Sequence, residues 1–127
     1  MKRLLSIIVL SIVMSVLLTP FAYAATLRWS NVATLTPAIT KTSNQYSCEI
    51  LGVSGTSNIS CELVLYEKSL WGNPVEVART NGSSHSNRYM CIGEYSGFSS
   101  SKTYILEIEA AVTTNGYTEN ITHTYKA

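Results

Sequence analysis

Three cysteines, Cys48, Cys61 and Cys91, are the residues of this sequence best suited to chemistry. In an oxidising compartment two of them can form a disulfide, and an odd count leaves one thiol over. Loop-closure entropy does not choose the pair, because it amounts to about 3 kcal/mol for Cys48–Cys61 and about 4 kcal/mol for Cys48–Cys91. The alternative is three buried thiols that act as small apolar residues.

The remaining titratable residues form no recognisable catalytic or metal-binding pattern. His85 lies in a Ser-rich segment and His123 in a predicted strand, and the chain has no Asp. Two His without Asp cannot make a conventional zinc site unless Cys or Glu helps. Glu107 and Glu109 share one face of a strand, whereas a glycosidase needs carboxylates on opposite sides of a cleft. We therefore expect no enzyme activity, no cofactor and no metal.

Three aromatic side chains, Trp71, Tyr95 and Phe98, fall in predicted loops. Exposed aromatic side chains can form a platform that stacks on a sugar or binds a protein. Alternatively, they fold back and cap the core. The partner that these residues would serve is an unidentified protein or glycan.

The first 24 residues have the pattern of a secretory signal. A positive start at Lys2-Arg3 precedes an apolar run from Leu4 to Leu18, and Ala22-Tyr23-Ala24 supplies the small-residue frame. This order predicts a helical signal peptide at residues 1–24, cleaved between Ala24 and Ala25. An uncleaved anchor is the alternative, but an apolar run of about 15 residues is short for a bilayer that needs roughly 20. We expect a secreted domain at residues 25–127 with no membrane span.

The charge balance limits the partners. Without Lys2 and Arg3, the chain has seven basic residues and eight glutamates, so its net charge is −1. Nucleic acids and anionic membranes need a basic patch, and we expect neither as a partner. Edge strands and a leftover thiol leave the oligomeric state open.

Alternation with a period of two, rather than helical periodicity, runs along the chain and predicts strands. It is clearest from Lys102 to Tyr125, where Asn115-Gly116 is a strong hairpin signal. With those two residues as the turn, Val112 faces Glu119 and Ile108 faces His123.

Turn signals divide the rest of the chain into short strands, about seven in all. Pro37 predicts an edge position for the first strand. Polar loops are expected at Asn81 to Ser86 and at Glu94 to Ser101. This spacing favours an all-β fold, a single two-sheet Greek-key sandwich.

One stretch resembles a known family. Tyr104-x-Leu106-x-Ile108-x-Ala110, followed by Asn115-Gly116, looks like the F strand and F–G turn of a fibronectin type III domain. Leu65-Tyr66-Glu67-Lys68, then Trp71, then Val75-x-Val77 is similar to its C strand, C–C′ loop and C′ strand. The layout also resembles small exported proteins of Gram-positive bacteria whose role is not established. The resemblance implies an immunoglobulin/fibronectin III-like sandwich that binds or spaces rather than catalyses.

Two strand arrangements give different cysteine pairs. A simple hairpin about Gly55 would place Cys48 opposite Cys61. The fibronectin III-like layout implies Cys48–Cys91 instead, because strands B and E are antiparallel neighbours, and it puts Cys61 at the opposite end of the core. We favour Cys48–Cys91, with Cys48–Cys61 as the alternative.

We therefore expect an exported, non-enzymatic β-sandwich that acts as an interaction module at the cell surface or in the medium. The alternative is a secreted effector, inhibitor or bacteriocin-like protein, for which export and stability would suffice.

Overall fold

The computed structural model describes residues 29–127, so the predicted signal peptide and the Ala24/Ala25 cleavage site lie outside the described residues. Within this range there are seven strands and one short 3-10 turn, Lys41–Ser43. None of the described elements is a helix long and apolar enough to cross a membrane. The strands are β1 (Val32–Thr40), β2 (Gln45–Gly52), β3 (Thr56–Lys68), β4 (Val75–Ser84), β5 (Arg88–Glu94), β6 (Thr103–Thr114) and β7 (Tyr117–Lys126).

The strands form two antiparallel sheets, one of three strands in the order β1-β2-β5 and one of four in the order β4-β3-β6-β7. The chain changes sheet after β2, after β4 and after β5, which are Greek-key connections. The expected all-β two-sheet sandwich is confirmed.

The β6–β7 hairpin has the register that the sequence predicts. Val112 pairs with Glu119 and Ile108 with His123. Asn115 and Gly116 form the turn with φ values of 51° and 81°. Both values lie in the left-handed region, which Asn and Gly adopt more readily than other residues.

The core lies between the sheets and is filled by the inward positions of the alternating strands. Tyr46, Cys48 and Ile50 of β2 face the other sheet, and all three are buried. The facing positions of the four-stranded sheet are Ile59, Cys61, Leu63, Leu65, Tyr104, Leu106, Ile108, Ala110, Val112 and Ile121. Period-two burial, rather than helical packing, therefore builds the core.

The first strand is an edge strand, as Pro37 predicts, because β1 pairs with β2 alone within its sheet. Proline donates no N–H to a ladder, and an edge strand leaves one side of its backbone unpaired.

The predicted loop from Asn81 to Ser86 is wrong for its first four residues, because β4 continues to Ser84. Edge strands need little apolar alternation, so the polar residues gave no strand signal. Gly82 faces the Tyr89 phenol so closely that a Cβ there would overlap the hydroxyl oxygen. Close approach of a side chain is one reason for glycine inside a strand.

Candidate functional site

The most exposed apolar side chains of the described chain lie side by side in the connection between β3 and β4. Trp71 is 94% exposed and Leu70 is 81% exposed. The Gly72 N–H donates to the Ser69 carbonyl oxygen at 3.3 Å and closes a β-turn. Leu70 and Trp71 occupy the two central positions of this turn, which we call the Trp71 turn (Ser69–Gly72). The turn directs both side chains into solvent.

A partly buried polar cluster holds the strand end before this turn. The Glu67 carboxylate accepts hydrogen bonds from Lys102 Nζ at 2.7 Å and from the Tyr95 and Tyr104 hydroxyls at 3.1 Å each. Its side chain is 16% exposed. The bond from Lys102, together with those from the two phenols, lowers the pKa of Glu67 although burial opposes this. The carboxylate therefore remains charged and connects the end of β3 to the loop between β5 and β6 and to the start of β6.

Tyr95 and Phe98, which the sequence suggested as possible exposed contacts, fold back onto the core. Tyr95 packs edge-to-face on Phe98 at 5.1 Å, and Phe98 packs on Tyr104 at 4.8 Å between ring centroids. The Ser99 N–H donates to the Tyr104 hydroxyl at 2.6 Å and closes the corner before β6. Of the three predicted aromatic contacts, Trp71 is therefore the exposed one, and Tyr95 and Phe98 pack against the core.

The three thiols meet at mid-height in the core. Cys48 and Cys91 are direct cross-strand partners in the three-stranded sheet. Cys61 belongs to the facing sheet and to the same buried core cluster as Cys48 and Cys91. The expectation that Cys61 lies at the opposite end of the core is wrong, because Cys61 is the sixth of thirteen residues in β3 and Cys91 the fourth of seven in β5.

The three thiols are buried, and no disulfide joins them in this structure. β2 and β3 lie in different sheets, so the hairpin about Gly55 that would place Cys48 opposite Cys61 is not formed. Burial raises the pKa of Cys48 to about 12. The hydrogen bond from Cys61 lowers the pKa of Cys91 although burial opposes it, and a second bond from Tyr89 acts in the same direction. Which pair forms a disulfide stays a prediction.

The outer face of the four-stranded sheet carries a shallow, open depression of about 740 Å3. Glu62 and Glu109 lie directly opposite each other on its floor. Like charges in this position destabilise a sheet. Arg79 relieves part of the repulsion by an ion pair to Glu62 at 3.0 Å. Glu107 also lies on this face, so the glutamates that the sequence placed on one strand face do not form a cleft pair.

Sequence reasoning missed one polar cluster near the first described residues. The Glu119 carboxylate accepts hydrogen bonds from the backbone N–H groups of Ser30, at 3.1 Å, and Asn31, at 2.9 Å. The buried Asn31 side chain donates to the carbonyl oxygens of Val112, at 2.8 Å, and Tyr117, at 3.0 Å. The sequence did contain a signal for this cluster, because Glu119 occupies an inward-facing position of the alternating strand pattern, where an apolar residue is expected.

The two histidines lie far from the Trp71 turn in the topology. His85 is exposed between β4 and β5. His123 is half-buried and packs edge-to-face on Trp29, with ring centroids 5.8 Å apart. Among residues 29–127, no group of three or more His, Cys, Asp or Glu side chains is arranged to hold a metal ion.

No protein-family model matches this chain, and no curated protein is significantly similar to it.

Proposed function

We propose that this protein is an exported, non-enzymatic β-sandwich that acts as an interaction module, and that the Trp71 turn binds a protein at the cell surface or in the medium. The observation that carries this proposal is the 94% exposure of Trp71 beside Leu70 at 81%. Tryptophan is among the residues most enriched at the energetic centres of protein interfaces.

The strand order and the corner before β6 support a fibronectin III-like binding or spacing module. In that family strands A, B and E form one sheet and C′, C, F and G the other, and the sheets β1-β2-β5 and β4-β3-β6-β7 have the corresponding order. A tyrosine near the start of strand F whose hydroxyl bonds to backbone a few residues upstream is a feature of immunoglobulin-like sandwiches. Tyr104 makes such a bond with Ser99.

Burial of the Trp71 side chain would supply part of the free energy that binding requires. A Trp side chain buries about 150–250 Å2, which at about 25 cal/mol per Å2 corresponds to about 4–6 kcal/mol before the costs of association. The Glu67 cluster holds the strand end below the turn, so less conformational freedom is lost on binding.

A protein partner is favoured over a glycan by the composition of the turn. Leu70 adds aliphatic surface beside the indole. Water is readily excluded from two neighbouring apolar side chains when another protein covers them. Sugar recognition needs, besides the stacking ring, several polar groups that fix the orientation of the ligand. Of the residues beside the pair, Ser69 and Asn73 carry polar side chains, which is two such groups rather than several.

The experiment compares Trp71→Ala with the unchanged protein in binding to the cell-envelope fraction of the producing organism. The protein is purified after export, and N-terminal sequencing establishes whether it begins at Ala25. Removal of the indole should weaken binding by about 2 kcal/mol or more, or about 30-fold in Kd. Protease treatment of the envelope should abolish binding, whereas periodate oxidation of its sugars should not.

The matched control is Tyr117→Ala, which removes an aromatic side chain that is 65% exposed on the β6–β7 turn. This variant should bind like the unchanged protein. Equal losses for the two variants would contradict the assignment of the site, and loss of binding after periodate alone would identify a glycan instead.

A further inference from the structure

The outer edge of β5 is unpaired in the described part of the chain. Within residues 29–127, β5 pairs with β2 alone and is the last strand of the three-stranded sheet. It carries two exposed apolar side chains, Met90 at 45% and Ile92 at 50%. They are two positions apart, so both lie on the outer face of the sheet. None of these residues belongs to the Trp71 turn, so this surface is independent of the proposed function.

Two hydrogen bonds at the ends of β5 show which backbone groups this edge presents. The Gly52 N–H donates to the Asn87 carbonyl oxygen at 2.7 Å, and the Tyr95 N–H donates to the Asn44 carbonyl oxygen at 2.9 Å. Both bonds continue the register of β2 and β5. Hydrogen-bonded pairs alternate along an antiparallel ladder, so the odd-numbered residues of β5 direct their N–H and C=O groups to β2. The even-numbered residues direct theirs to the open edge.

The even-numbered residues of β5 are Arg88, Met90, Ile92 and Glu94. The Ser86 hydroxyl bonds to both backbone groups of Arg88, donating to the carbonyl oxygen at 2.7 Å and accepting from the N–H at 3.3 Å. Met90 and Ile92 therefore supply the donors and acceptors at the centre of the open edge. Such a row of backbone groups is a template for pairing with another strand.

The exposed side chains of β5 are complementary to those of a second, antiparallel β5. If the two strands pair about a centre at Cys91, Arg88 of each copy lies opposite Glu94 of the other, and Met90 lies opposite Ile92. Basic then faces acidic twice and apolar faces apolar twice. A centre at Met90 would place Arg88 opposite Ile92, and a centre at Ile92 would place Met90 opposite Glu94. Charge and polarity therefore favour the register centred on Cys91.

We propose that the outer edge of β5 binds a second copy of this chain, so that two three-stranded sheets join about a twofold axis at Cys91 into one six-stranded sheet. A twofold axis is the commonest symmetry of homodimers and requires a self-complementary surface. The backbone N–H and C=O of Met90 in each copy bond to those of Ile92 in the other. Ion pairs between Arg88 and Glu94 at the two ends fix the register.

The first experiment measures the molar mass of the protein, purified from an exporting host, by sedimentation equilibrium over a range of concentrations. A contact along one short strand is small, so we expect a reversible equilibrium between monomer and dimer. Arg88→Glu or Glu94→Arg alone places like charges opposite each other twice in each dimer. Either variant should raise the Kd of the dimer by about 10-fold or more at low salt. Unchanged protein that stays monomeric up to about 1 mM would overturn the proposal.

An equimolar mixture of the Arg88→Glu and Glu94→Arg variants tests the register. In the mixed dimer an acidic residue faces a basic one at both ends, so the mixture should dimerise about as well as the unchanged protein. The two positions are six residues or about 20 Å apart on one strand, so the recovery cannot arise within one copy. Arg88 also lies 3.9 Å from Glu49 of its own copy, a contact that mixing does not restore.

The double variant Arg88→Glu/Glu94→Arg is the control for net charge. It has the net charge of the unchanged protein and restores both pairs within its own dimer, so it should dimerise as well. Single variants that dimerise as tightly as the mixture and the double variant would refute the Arg88–Glu94 pairing.

Met90→Lys tests the apolar part of the contact. A lysine on an edge strand opposes pairing with another chain, so this variant should stay monomeric where the unchanged protein dimerises. The matched control is Val75→Lys, which changes a side chain that is 62% exposed at the start of β4. It should dimerise like the unchanged protein, and equal losses for the two variants would contradict a contact at β5.

Amide hydrogen exchange shows which backbone groups are at the contact. A higher protein concentration should slow exchange of the Met90 and Ile92 N–H groups, because these become bonded only in the dimer. The Cys91 N–H points to β2 in monomer and dimer alike and serves as the internal reference. A dimer in which the Met90 and Ile92 amides exchange as fast as in the monomer would show that the two copies bind through another surface.

Discussion

The hydroxyl of Tyr104 offers a sharp test of the corner that supports the Trp71 turn. Tyr104→Phe keeps the ring, which is fully buried, and removes the oxygen that accepts the Ser99 N–H at 2.6 Å. That N–H loses its partner in a half-buried position, and an unsatisfied group of this kind costs about 1–3 kcal/mol. We expect a loss of about 2 kcal/mol in the free energy of unfolding, or about 8–16 °C in Tm for a domain of about 100 residues.

The assay is urea unfolding, with the slope of the transition compared as well as its midpoint. The midpoint should fall at an unchanged slope, because the same surface is exposed on unfolding. Tyr95→Phe is the matched control, since the bond that its hydroxyl makes is to Glu67, which keeps Lys102 and Tyr104 as partners. A Tyr104→Phe loss no larger than that of Tyr95→Phe would refute this account of the corner.

Two further substitutions test other contacts of the sandwich. Burial raises the pKa of Glu119, but hydrogen bonds from Asn31 and Ser30 outweigh it, so that the pKa is lower in the folded protein than in the unfolded chain. The charged Glu119 therefore stabilises the fold above the unfolded pKa of about 4.3. This contribution to the free energy of unfolding is lost as the pH falls through the lower folded pKa. Glu119→Gln should therefore lower the free energy of unfolding by about 1–2 kcal/mol at neutral pH and by close to nothing in acid, as measured by urea unfolding. A loss of the same size in acid would contradict this role of the Glu119 charge. Gly82→Ala should lower the free energy of unfolding by about 1–3 kcal/mol, because the added Cβ overlaps the Tyr89 hydroxyl. In a Tyr89→Phe background the same substitution should lower it by less. Equal losses in the two backgrounds would show that the overlap is not the cause.

Local patterns predicted the fold where a strand is half-buried and its turn is distinctive. The β6–β7 hairpin is the clearest case, because Asn115-Gly116 fixes the turn and a one-residue slip would expose the apolar face. The end of β4 was missed because a solvent-facing edge strand needs no apolar alternation. Its strand character comes from pairing with β3, a contact that local sequence does not display.

The polar clusters of the structure could not be read from the sequence because they join distant segments. Glu67 meets Lys102 across 35 positions, and Glu119 meets Ser30 across 89. The location of Cys61 was mistaken for a related reason, since its height in the core depends on how β3 and β5 face each other. Trp71 was a candidate from its loop position alone, but its separation from Tyr95 and Phe98 required the packing on Tyr104.

The fluorescence of Trp71 tests most directly whether its side chain is the contact. The chain contains two tryptophans, and Trp29 packs partly buried against the core, so Trp29→Phe leaves Trp71 as the single reporter. In the free protein we expect the emission of a water-exposed indole and strong quenching by iodide. On addition of the cell-envelope fraction, the emission that remains after subtraction of the same mixture with the Trp29→Phe/Trp71→Phe variant should shift to shorter wavelength, and its quenching should fall. Bound protein whose Trp71 emission and quenching stay unchanged would contradict the claim that this turn binds the partner.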